Sequence, residues 1–130
     1  MLQRADQLED AVLKEINKAK KNAIKTPAVD DAASLEAALT AALSSSDKIR
    51  KQEGQLAQKV ESQCSGLVAL PSAIFPGFCA DDSLATVEDC VIAAARCVAC
   101  LKINAFDALA LDCDQVDDGN ANGSCPPAAP

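Results

Sequence analysis

The sequence predicts an all-α protein: an antiparallel, coiled-coil-like helical hairpin followed by a disulfide-stapled helical cap and an irregular C-terminal tail. Three observations predict it. Apolar residues recur at spacings of three and four through the first half of the chain. All seven cysteines lie between Cys64 and Cys125. Proline and glycine fall between the periodic segments rather than inside them, apart from Gly54.

The first helix is expected over residues 4–25. Leu8, Val12, Ile16, Ala19 and Ala23 form its apolar stripe. Lys14, Lys18, Lys21 and Lys25 lie on another face, and a basic last turn suits the negative end of the helix dipole. Thr26-Pro27 stops it, because the residue before proline avoids the α region. A second helix is expected from about Ala33 to about Cys64. Leu35, Leu39, Ala42, Ser46, Ile49, Glu53, Leu56, Val60 and Gln63 follow an alternating 4-3 step, a heptad seam with three polar entries. Gly54 marks a kink or a close approach in this reading. The short connection at 26–32 makes the two helices antiparallel neighbours.

Ser65-Gly66 reads as a helix end, and Leu67, Val68, Leu70, Ile74, Phe75 and Phe78 follow, cut by Pro71, Pro76 and Gly77. This apolar loop is expected to plug the open end of the hairpin, and a Cys64–Cys79 bridge would close it like a clasp. A third helix begins near Ser83 or Thr86, where Thr86 and Asp89 have capping-box spacing, and runs through Leu101. Asn104 is expected to cap a short fourth helix through Leu111, and the chain after Asp112 to be irregular. Residues 1–130 read as one domain, with 1–64 the hairpin and 65–130 the cap and tail.

The chain has three Phe, no Trp and no Tyr, and much of its apolar content is Ala. Such a core buries little area per residue, so packing alone gives a marginal fold. Cys64, Cys79, Cys90, Cys97, Cys100, Cys113 and Cys125 are the candidate staples. Cysteine at this density in a small chain points to an oxidising compartment. Their odd number leaves one thiol over, and the spacing does not select a pairing. Cys90, Cys97 and Cys100 fall near one helix face. A thiolate metal site from Cys90, Cys97, Cys100 and Cys113 is the rival reading, in a cytosolic protein.

Net charge is −7, unevenly spread. Residues 1–25 hold six basic and four acidic side chains, whereas residues 77–130 hold two basic and nine acidic. Overall acidity argues against nucleic acid as a partner. No run is long and apolar enough to span a bilayer. Met1 opens an amphipathic segment without a secretory signal, so an exported form is expected to start after a cleavage site or inside a longer chain.

Catalytic signatures are scarce. Without His, neither a Ser-His-Asp nor a Cys-His pair can form. Cys97-Val98-Ala99-Cys100 has redox-motif spacing, but it lies late in an Ala-rich helix with no strand before it. Asp112, Asp114, Asp117, Asp118 and Asn122 are dense enough in oxygen to be candidate calcium ligands, with Gly119 allowing a tight turn. The spacing is not that of an EF-hand, since Val116 stands where a ligand is due. The competing reading is a polar turn whose carboxylates cap backbone groups. No other cofactor is expected.

The C-terminal pattern joins Cys90, Cys97-Val98-Ala99-Cys100, Asn104-Ala105-Phe106-Asp107-Ala108-Leu109, Asp112-Cys113-Asp114, Asp117-Asp118-Gly119 and Asn122-Gly123-Ser124-Cys125. It resembles the Cys-rich helical modules of uncharacterised secreted bacterial proteins, over about the last 60 residues. The resemblance implies export and disulfides, and it transfers no functional residues. Two functions follow as expectations. One is a non-catalytic extracellular subunit that self-assembles head to tail into a filament, sheath or surface layer, as the charge polarity suggests. The other is a monomeric, disulfide-stabilised binding module of a larger surface protein, acting through the 67–78 loop or the acidic tail.

Overall fold

A computed structural model describes residues 2–64 and 86–125, and these are helical wherever they are regular. Among the described residues five helices follow in order: α1 Leu2–Ala23, α2 Ala32–Ser45, α3 Asp47–Cys64, α4 Val87–Asp107 and α5 Cys113–Asp118. The apolar loop, the Cys64–Cys79 clasp and the Pro-rich end lie outside the described residues.

The first helix buries Leu8, Val12, Ile16 and Ala23, the stripe that the spacing predicts, with Ala19 half-buried. Asp31 caps α2 in a full box, accepting the amide of Ser34 at 2.7 Å while the Ser34 hydroxyl takes the amide of Asp31. These hydrogen bonds, led by the Ser34 side chain, hold the Asp31 carboxyl below its usual range.

The expected single helix from residue 33 to 64 is instead two. Ser46 leaves the helical region, at φ −74° and ψ 115°, between α2 and α3. Its hydroxyl accepts the amide of Ile49 at 3.3 Å, so it caps α3, and Asp47 supplies the acid that suits a first turn. The polar seam entry Ser46 is therefore a buried cap, and the break falls there rather than at Gly54. The seam also shifts: Leu43 is buried where Ala42 is expected, and Gln63 is exposed.

The direction of each helix follows from its cross-links. Arg4 donates to Gln55 at 2.9 Å and Lys48 lies 3.5 Å from Glu15, so α3 runs antiparallel to α1. Glu9 pairs with Lys102, and Lys20 pairs with Asp107 at 2.5 Å, so α4 runs in the same direction as α1. The hairpin is thus the first part of an up–down–up arrangement, in which α4 packs against both α1 and α3. One buried cluster joins them, from Leu8 and Leu56 to Ala95, Ala99, Ile103, Cys97 and Cys100. On the α4 side the interior is largely alanine and sulfur, in keeping with the scarcity of large apolar residues.

Thr86 caps α4, accepting the amide of Asp89 at 3.1 Å. The box is incomplete, because the Asp89 carboxylate takes the Thr86 hydroxyl instead of its amide. Helix α4 continues to Asp107 without a break at Asn104, and no separate helix runs from there to Leu111. The stretch after Asp112, expected to be irregular, opens with α5.

Candidate functional site

The residues singled out for chemistry gather in the lobe formed by the outer face of α4, α5 and residues 119–125. Two disulfides staple it: Cys97–Cys125 and Cys100–Cys113. Cys97 and Cys100 stand one helical turn apart, so one face of α4 carries both anchors. The outer bridge spans 28 residues and encloses the inner one, which spans 13. Cys90 is buried and disulfide-bonded as well. The four sulfurs weighed as a metal site are thus all in disulfides. Cys79 lies outside the described residues, as does the side chain of Cys64.

Each of the five candidate calcium ligands is engaged with the protein itself. Asp112 caps α5, accepting the amide of Gln115 at 3.2 Å. Asp114 accepts the amides of Gly123 and Cys125 at 2.9 and 3.1 Å, and the Ser124 hydroxyl at 3.4 Å. Those amides hold its carboxyl below the usual range. Asp118 accepts the amide of Asn120 at 2.8 Å and the side-chain amide of Asn122 at 2.7 Å. Asn122 in turn accepts the amide of Ser124.

Asp117 differs from the others because it is buried, at 1 % exposure. Its carboxylate accepts the Ser124 hydroxyl at 2.7 Å and the amide of Asp118 at 2.6 Å. Burial nevertheless dominates and pushes its pKa up to about 6. Gly119 ends α5 at φ +89°, a region that favours glycine, and its amide returns to the carbonyl of Gln115. The carboxylates therefore fold a short polar segment back onto α4. Among the described residues, no group of three or more acids or cysteines is arranged to hold a metal ion.

Three residues, Arg96, Glu53 and Ser124, have partners that their spacing does not reveal. Arg96 forms an ion pair with Glu53 at 2.5 Å and donates to the carbonyl of Val116 at 3.3 Å. Ser124 joins Asp114 to Asp117. A signal existed for Arg96 and Glu53: Glu53 interrupts an apolar seam, and Arg96 and Lys102 are the only basic residues after position 76. Both pair with acids of the first half, Glu53 and Glu9. Lys102 is held above its usual range, chiefly by its hydrogen bond to Glu9. Nothing in the sequence marks Ser124.

Among the described residues, no helix is long and apolar enough to cross a membrane. Two large apolar side chains stand in the open, Ile24 at 82 % and Phe106 at 87 % exposure. The chain matches no protein-family model, no curated protein and no solved structure.

Proposed function

We propose that this chain is a non-catalytic extracellular structural subunit that self-assembles into a filament, sheath or surface layer. The observation that carries this reading is the covalent fixing of the acidic lobe by Cys97–Cys125 and Cys100–Cys113. A polar segment rich in Asp, Asn and Gly is ordinarily mobile. Stapled at both bridges, this one presents its carboxylates in a constant geometry, as a repeated subunit contact requires. The crosslinks support an oxidising compartment, because cytosolic thiols are kept reduced. The absence of His and Tyr from the sequence supports a role without catalysis.

Light scattering across a concentration series, with non-reducing electrophoresis, tests the proposal. Mass that rises with concentration in subunit multiples is expected. A monodisperse monomer at high concentration overturns it. The second reading is a monomeric binding module, for which Phe106 and Ile24, at 87 % and 82 % exposure, offer apolar contact points.

A further inference from the structure

Two adjoining hollows, of about 410 and 510 Å³, lie along the seam between α1 and the α2–α3 pair. They share Glu15 and Lys48, so they make one continuous groove. Arg4, Lys14, Lys18, Lys48 and Lys51 line it, against the acids Asp10, Glu15 and Asp47. Glu15 is the most enclosed of these acids and lies between Lys18 and Lys48, at 4.0 and 3.5 Å. Lys14 is only loosely paired with Asp10, at 3.9 Å, and Lys51 forms no ion pair among the described residues. In a chain of net charge −7 this groove has a cationic excess.

The lobe has the opposite character. Residues 103–125 contain no Lys or Arg, and Asp112, Asp114 and Asp118 keep their carboxylates at least partly open to solvent. The two surfaces face different ways. On α1, Glu9 and Lys20 reach α4, whereas Arg4, Glu15 and Lys18 line the groove. At one turn per 3.6 residues, the two sets are separated by about 120° or more around the helix.

We propose that this groove receives the acidic lobe of a second copy of the same chain. The inference rests on the structural-subunit reading and names its contact. Each molecule carries one groove and one lobe on different sides, so the contact is heterologous and extends into rings or open filaments. The complementary anion is on the chain itself, which favours a second copy over another acidic polymer. The attraction is between exposed charges, so salt screens it.

The test uses the full oxidised chain in sedimentation velocity at about 0.02 M and about 0.5 M salt. Beside wild type stand a groove variant, Lys14→Glu with Lys51→Glu, and a lobe variant, Asp112→Asn with Asp118→Asn. Both are checked by thermal melting and by thiol counting. We expect wild-type association to weaken at least about tenfold at the higher salt, and each variant alone to stay monomeric. Mixed, the variants should stop at a pair, since one good groove meets one good lobe and neither complex can extend.

Carbodiimide crosslinking of mixed isotope-labelled and unlabelled wild type needs no substitution. It should join Lys14, Lys48 or Lys51 of one copy to Asp112, Asp114 or Asp118 of another. Assembly that ignores salt, survives the groove substitutions, or crosslinks elsewhere overturns the groove contact and leaves the subunit reading intact. A wild-type monomer at every concentration overturns both. So does one that associates only when inorganic polyphosphate is added, and that result reassigns the groove to a polyanion.

Discussion

Arg96 meets Glu53 at 2.5 Å while donating to the carbonyl of Val116, so one guanidinium joins α3, α4 and α5. Both side chains of the pair are 20 % exposed, which places the contact between a surface ion pair and a buried one. These contacts tie the hairpin to the stapled lobe. Truncating one partner leaves a charge largely out of water. Glu53→Ala is therefore expected to destabilise the protein by about 1–3 kcal/mol. The double variant Glu53→Leu with Arg96→Met should recover part of that loss, because it strands no charge. Urea unfolding of Glu53→Leu, Arg96→Met and the double, read as a double-mutant cycle, measures the coupling. Additive losses would show that the two groups act independently.

The two bridges are nested, and this determines what each contributes. A crosslink stabilises largely by shortening the unfolded chain's free loop, with a weak dependence on loop length. With Cys100–Cys113 closed, the Cys97–Cys125 bridge constrains only about 15 further residues. The bridges should thus contribute similarly, about 2–4 kcal/mol each, despite spanning 28 and 13 residues. Paired Cys→Ser variants, compared by thermal melting, test this. A much larger loss from either pair would show that its bridge does more than shorten the loop of the unfolded chain.

Asp117 sets a pH dependence of unusual sign for a carboxylate. Its folded pKa, near 6, lies above its ordinary value of 3.8. The folded state therefore binds the proton more tightly than the unfolded chain. Its contribution to stability is fully present below the ordinary value and is lost as pH rises through about 6. Asp114 has the opposite sign: its contribution is present above the ordinary value and is lost as pH falls through its lowered one. Asp117→Asn can still accept the Asp118 amide and can donate to Ser124, without a buried charge. It should remove the decline between about pH 4 and pH 6 and raise stability at neutral pH by on the order of 1–2 kcal/mol. Urea unfolding across that range decides. An unchanged pH slope in the variant would sink the assignment.

What was legible in the sequence depended on whether a local signal and the packing agreed. Leu8, Val12 and Ile16 announce their helix face because spacing and burial coincide. Ser46 reads as a polar entry in a continuous seam, yet its hydroxyl begins a new helix. The Ser44-Ser45-Ser46-Asp47 run supports either reading, and only the geometry at Ser46 separates them. In the acidic segment, spacing identified the residues but not their partners. A carboxylate that closes a loop on amides and one that binds a cation look alike in sequence. Asp114 is the former because Gly123 and Cys125, nine and eleven residues on, turn their amides toward it. That return depends on the Cys97–Cys125 bridge, and the pairing of seven cysteines cannot be read from their spacing.

The end of α4 carries no sequence signal for a related reason, and it gives a prediction whose sign can be checked. Helices commonly stop on a glycine in the left-handed region, and no glycine stands there. Ala108 takes that role instead, at φ +51°, and it is the only non-glycine residue with positive φ among those described. Asn104 secures the turn that follows, accepting the amide of Leu111 at 3.0 Å and donating to its carbonyl at 2.9 Å. The left-handed conformation costs an alanine about 1–2 kcal/mol. Glycine relieves that strain but gives the unfolded chain more freedom, worth about 0.4–1 kcal/mol. Ala108 is exposed, so its methyl group contributes no packing. Ala108→Gly should therefore stabilise the protein by about 0.5–1 kcal/mol. Ala105→Gly, three residues earlier and equally exposed within α4, should destabilise it by about 1 kcal/mol, since glycine inside a helix is unfavourable. Chemical denaturation of the two variants compares them directly. If both substitutions destabilise, α4 does not end at Asp107 in solution, and the turn that leads Cys113 to Cys100 is held some other way.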